Sequence, residues 1–294
     1  MFELIQATER CWYIQSPAKI GLVRLGGDEV CLIDSGNDKD AGRKVRQHLD
    51  RNGWRLTAIY NTHSNADHIG GNQYLQRQTG CRIFAPGIEQ AFTRRPILEP
   101  SFLYGGYPCR DLRHKFLLAQ ESDAKPLTPD VLPEGMEMIP LPGHFFDMTG
   151  FRAPEGVVYL ADCLSSRETL EKYRIGFIYD IKAYLETLET VKRLEGNLFI
   201  PAHAEATEHI APLAQYNIDL VLQTAEDILA LCREAKTFED VLQALFTQYQ
   251  LTMNMEQYVL VGSTVRSYLS WLKDAGRLEA AFENNRMIWK TIGS

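Results

Sequence analysis

Six side chains stand out for the chemistry they can share: His63, Asp67 and His68 in NTHSNADHIGG, His144 in LPGH, Asp162 in LAD, and His203 in IPAH. Imidazole and carboxylate together form the donor set of zinc and similar transition metals. Two carboxylates among four imidazoles can bridge cations, offset their charge and leave positions open for water. A cation holding such a water lowers its pKa to roughly 7 and makes hydroxide available at neutral pH. Asp67 can orient that water as well as bind a cation, which makes it the candidate catalytic residue. His48, His114 and His209 fall outside comparable loops and read as surface residues.

The four candidate histidines each follow a stretch that reads as a strand, in a turn rich in glycine or proline. Strand ends bring distant residues to one point without burying unpaired polar groups in the core. Strands are expected at Cys11 to Ile14, Ile20 to Arg24, Val30 to Ile33, Leu56 to Tyr60 and Cys81 to Phe84, with helices from Lys39 to Asn52 and Asn72 to Gln78. From about Ile88 to Asp130 the rhythm breaks among prolines and aromatics, including Phe102, Tyr104 and Tyr107, and an irregular cover over the site is expected. Strands resume at Met136 to Ile139, Gly150 to Arg152, Val157 to Leu160 and Leu198 to Ile200, around a helix from Ile181 to Leu194.

Beyond His203 the pattern turns helical: Pro212 to Glu234, Thr237 to Tyr249 behind a capping box of Thr237 and Asp240, and Ser263 to Ala275. A hairpin about Glu283 to Arg286 follows. The expected division is a catalytic domain over residues 1–210 and a small winged-helix-like domain over 211–294.

The order of these motifs resembles the metallo-β-lactamase superfamily, in particular its glyoxalase II-like branch. An early Asp-Ser-Gly at Asp34 precedes a loop similar to HxHxDH, then Pro-Gly-His144, Asp162 after a strand, and the late His203. The resemblance implies an α/β fold, the αββα sandwich. It implies that His63 and His144 hold a first metal, that Asp67, His68 and His203 hold a second, and that Asp162 bridges them. Asp34 would brace the ligand loop from outside the ligand set. One position departs: Asn65 stands where the family has the middle histidine. A neutral amide oxygen binds zinc more weakly than imidazole, so Asn65 is expected to be a weak ligand or a substrate contact. One or two zinc ions per chain are expected, with iron or manganese as alternatives.

The implied activity is hydrolysis of a thioester or other ester of a small molecule. A phosphodiesterase or nuclease aided by the C-terminal domain is the alternative, together with a di-iron oxidoreductase. Nucleic acid is disfavoured as a partner on charge: the chain carries a net charge of −7, and cations and carboxylates balance from Lys236 onward. Redox chemistry would need an external electron donor, because no flavodoxin-like segment is visible. A non-catalytic scaffold that dimerises through the C-terminal domain, with Leu260, Tyr268 and Trp271 as anchors, is a further reading, although core roles fit those residues better. The six cysteines form no CxxC pair and read as reduced, buried thiols; Cys163 beside Asp162 is expected to be a small buried neighbour. With no signal-peptide pattern and no apolar run near 20 residues, a cytoplasmic protein without a membrane partner is expected.

Overall fold

The computed structural model describes residues 2–293. Seven strands form one sheet in chain order: β1 (Glu3–Gln6), β2 (Cys11–Gln15), β3 (Ile20–Gly26), β4 (Glu29–Ile33), β5 (Arg55–Tyr60), β6 (Arg82–Ala85) and β7 (Ala124–Pro126). The first four run antiparallel, and β4 to β7 run parallel. A second sheet has the order β11-β10-β9-β8, from β8 (Glu137–Pro140), β9 (Thr149–Arg152), β10 (Val157–Ser165) and β11 (Leu198–His203). Only its β10–β11 pair is parallel.

Alternation along the strands sorts side chains between layers. In β4, Cys31 and Ile33 face inward and meet Phe151, Tyr159 and Ile200 of the second sheet. Val30 and Leu32 face outward and pack under Val45 and Leu49 of α1 (Lys39–Asn52) and Leu75 of α3 (Asn72–Thr79). Asp38 caps α1 through the amides of Asp40 and Ala41, and Gly53 ends it at φ +66°. On the far face, Val158 and Leu160 join α7 (Ile181–Val191), α8 (Ala211–Leu231), α9 (Phe238–Gln248) and α10 (Met255–Asp274) in one apolar cluster that runs from Leu141 to Trp289. This is the αββα arrangement. The chain closes with the hairpin β12 (Leu278–Glu283) and β13 (Arg286–Thr291).

Three elements differ from their sequence readings. The expected irregular cover contains α4 (Glu89–Arg94), α5 (Leu98–Tyr104) and β7. Pro100 lies in the first turn of α5, where proline is tolerated, so it was a misleading break. Helix α10 begins at Met255 rather than Ser263, capped by Asn254, and carries Gly262 buried against Phe238 of α9. A short helix, α6 (Arg167–Tyr173), follows β10 where the sequence suggested none. The capping box at Thr237 and Asp240 is present. Tyr268 lies in the core, with Leu260 and Trp271 partly buried. No described helix is long and apolar enough to cross a membrane.

Candidate metal centre

The loop that leaves β5 turns into α2 (Ala66–Ile69) and carries His63, Asp67 and His68. It can lie directly on the Asp34-Ser35-Gly36 turn only because Gly70 and Gly71 follow. A Cβ on Gly70 would fall 2.0 Å from the carbonyl oxygen of Asn37, and one on Gly71 2.3 Å from that of Ser35. Gly143, at φ +118° and with no room for a Cβ beside Tyr184, sets the approach of His144. Asp162 sits where β10 slips its register against β11, next to Ala161 at φ +51°. Such a bulge re-aims a side chain out of the strand alternation. His203 is the last residue of β11.

All six candidate ligands meet at one place. Donor atoms of Asp67, His68, Asp162 and His203 lie within 4.8 Å of one another, and so do those of His63, His144 and Asp162. Asp162 belongs to both groups. Its Oδ1 is 3.0 Å from His68 Nε2, and its Oδ2 is 3.2 Å from His203 Nε2 and 3.6 Å from His144 Nε2. His203 Nε2 is also 3.2 Å from Asp67 Oδ2. His63 Nε2, His68 Nε2 and Asp162 Oδ1 are buried and make no well-directed hydrogen bond, the last two only facing each other at 3.0 Å. Buried polar atoms are rarely left unpaired, and three such atoms in one cluster suit a cation.

The outer hydrogen bonds fix which nitrogen faces inward. His203 Nδ1 lies 3.0 Å from the Pro17 carbonyl, an atom that can only accept, so Nδ1 carries a proton and Nε2 is the nitrogen turned toward the cluster. His68 Nδ1 donates to Asp34 Oδ2 at 2.8 Å. The Thr62 hydroxyl donates to the same Asp34 oxygen at 2.7 Å and accepts from His63 Nδ1 at 2.9 Å. Asp34 therefore orients two imidazoles, one directly and one through Thr62. It does so at φ +63°, a conformation uncommon for a residue with a side chain and concentrated at functional sites.

The electrostatics follow from this crowding. Burial would raise the carboxyl of Asp67, but the neighbouring His68 and His203 hold it near 2. Asp162 is likewise held well below the ordinary range by His203 and His68 against the effect of burial. Burial lowers the imidazole of His203, yet Asp162 and Asp67 outweigh it and push it up to about 10. His63 goes the other way, driven down by burial and then by the charge of His68.

Asn65 begins α2 without capping it. Its Nδ2 donates instead to Glu99 Oε1 at 2.7 Å, and its Oδ1 stands 3.2 Å from His144 Nε2. Glu99 is buried, and burial drives its carboxyl well up against the pull of the Asn65 amide. Glu89, also buried, accepts from the Ser64 amide and hydroxyl and from the Asp147 amide. The segment read as a cover thus lies under the ligand loop and supplies two carboxylates to it. Neither glutamate was singled out in the sequence, nor was Thr62. Phe92 and Phe102 of the same segment pack against Phe145 and Phe146 beside His144. Cys163 is buried, its thiol pushed up by burial and by Asp162.

The sequence profile of the metallo-beta-lactamase superfamily matches residues 15–203. The chain belongs to that superfamily. Among solved structures of metallo-β-lactamase proteins, one from Thermus thermophilus has a TM-score of 0.74 at 17% identity, covering 98% of this chain and 100% of that one. A β-lactamase domain protein of Burkholderia ambifaria has a TM-score of 0.74 at 15% identity, over 99% and 94%. At those identities the likeness concerns the metallo-β-lactamase fold. Hydroxyacylglutathione hydrolase of Nitrobacter hamburgensis is 51% identical over 64 residues, and that of Nitrobacter winogradskyi 47% over 49. These alignments span 22% and 17% of this chain and only 24% and 19% of those relatives.

Proposed function

We propose that this chain is a metal-dependent hydrolase of a thioester or another ester of a small molecule. The observation that carries the reading is the convergence of His63 Nε2, His68 Nε2 and Asp162 Oδ1, buried and without well-directed hydrogen bonds, within a cluster of six donor residues. His63 and His144 would hold a first cation, with Asn65 Oδ1 the neutral third donor; Asp67, His68 and His203 would hold a second, and Asp162 would touch both. Zinc suits these donors, and iron or manganese would also be accepted. Once bound, such a cation lowers the pKa of water to roughly 7.

The chain's own residues do the rest. Asp34, Thr62 and the Pro17 carbonyl hold the Nδ1 atoms of His68, His63 and His203 and so keep the three Nε2 atoms aimed inward. Asp67, the most exposed carboxylate of the cluster, orients the attacking water. Phe177 stands edge-on to His144 at 5.4 Å. The short alignments with hydroxyacylglutathione hydrolases support a thioester substrate.

Elemental analysis of protein purified without chelator, followed by turnover of thioester, lactone and phosphodiester panels, tests the reading. One or two equivalents of metal with turnover of thioesters is expected. Metal-free protein that remains inert after loading would overturn it.

A further inference from the structure

His63 follows β5 of the first sheet, and His144 lies between β8 and β9 of the second, so no local chain geometry sets their separation. Two links between the sheets bracket His63. The residue before it, Thr62, accepts through its carbonyl from the Thr149 amide at 2.9 Å. The residue after it, Ser64, gives its amide (3.1 Å) and its hydroxyl to Oε2 of Glu89. The other oxygen of Glu89, Oε1, accepts from the Asp147 amide at 3.0 Å. We propose that Glu89 is a positioning residue: by joining Ser64 to Asp147 it fixes the spacing of His63 and His144 and sets how tightly the first cation is held. The inference rests on the reading of those two imidazoles as one site of a metal-dependent hydrolase.

Three observations mark Glu89 as a clamp. It is fully buried, and both of its oxygens are taken up by donors from the two ligand loops. Burying a carboxylate is costly even when it is paired, and an apolar side chain would fill the space without that cost. Asp147 returns the contact: its Oδ2 accepts from the Ile88 amide at 2.8 Å. That approach requires Gly87, where a Cβ would fall 2.0 Å from the same oxygen. Phe145, also fully buried, fills the space so enclosed, with its ring 6.4 Å from that of His63 and 5.3 Å from that of Phe92 in α4.

The two cation sites depend on this clamp unequally. Asp67 and His68 sit together on α2, His68 is held by Asp34, and His203 is held by the Pro17 carbonyl. None of those bonds passes through Glu89. The first site has the neutral Asn65 oxygen as its third donor, so its affinity leans on two imidazoles held apart at the right distance before an ion arrives. Holding donors in place in advance removes an ordering cost from binding. Loosening Glu89 should therefore weaken the first site and spare the second.

The test titrates the full chain, stripped of metal, with zinc in competition with a chromophoric chelator at about pH 8. His144→Ala and His203→Ala identify which uptake step belongs to which site. Glu89→Gln keeps an oxygen for Asp147 but turns an NH2 toward the Ser64 amide, and Glu89→Asp is a methylene too short to reach both. In each, the dissociation constant of the first step should rise about ten-fold or more while the second stays within about two-fold. Val45→Ala, a cavity under α1, costs stability by ordinary means and should leave both steps unchanged. Melting curves compare the stabilities of all variants. If neither Glu89 variant folds, Ser64→Ala carries the test, and the first step alone must weaken by about three-fold or more. Equal weakening of both steps, an unchanged first step, the same split in Val45→Ala, or a wild type without a first step up to about millimolar zinc overturns the proposal. The split in a protein that turns over no ester would strike the hydrolase reading and leave the clamp standing; turnover without the split would do the reverse.

Discussion

Asn65 gives its amide N–H to Glu99 and thereby turns its carbonyl oxygen toward His144. A residue type that normally caps helices has been diverted from the helix it begins. An imidazole at position 65 would offer Glu99 an N–H and the cluster a stronger donor. Asn65→His is therefore expected to raise the metal retained after dialysis toward two equivalents, with the wild type holding fewer. Elemental analysis checks this; two tightly held equivalents in the wild type would sink the idea of a weakened site.

Asp34 orients His68 directly and His63 through Thr62. Asp34→Asn keeps the size but cannot serve every donor that now reaches that carboxylate. Metal affinity should fall by about 10- to 100-fold. Competition with a chromophoric chelator reads the change. An unchanged affinity would mean that packing alone holds the imidazoles.

Asp67→Ala removes the carboxylate assigned to the water. Turnover of the loaded enzyme should fall by about 100-fold or more while the circular dichroism spectrum is retained. Activity within a few-fold of wild type would reject the assignment.

Burial pushes the Glu89 carboxyl from its ordinary 4.5 up to about 7, against the pull of its Ser64 and Asp147 donors. A raised carboxyl pKa means that the folded state binds the proton more tightly than the unfolded state does. The resulting stability is complete below pH about 4.5 and is lost as pH climbs through about 7. It amounts to about 3 kcal/mol at most. Urea titrations of metal-free protein between pH 5 and 8 should show the wild type losing stability with rising pH relative to Glu89→Gln. Parallel curves for the two proteins would count against this linkage.

The ligand cluster was legible because each member announces itself locally, as a histidine or aspartate in a turn after an apolar run. Asp34 was legible only through its place in the motif order, since Asp-Ser-Gly alone reads as a simple turn. The Pro17 carbonyl that fixes His203 carries no side-chain signal at all. Glu89 and Glu99 were hidden because Pro96 and Pro100 made their segment look irregular, and their contacts with Ser64 and Asn65 are 25 and 34 residues apart in sequence.

The candidate donors come from both leaves of the sandwich: His63, Asp67 and His68 follow β5 of one sheet, while His144, Asp162 and His203 belong to β8, β10 and β11 of the other or to the loops leaving them. An ion seated among them would act as a rivet through the seam. At a free concentration a hundred times its dissociation constant it would add about 2.7 kcal/mol against unfolding. Chelation should lower the melting temperature and let the two leaves part at that edge first, with faster amide exchange there than in the outer helices.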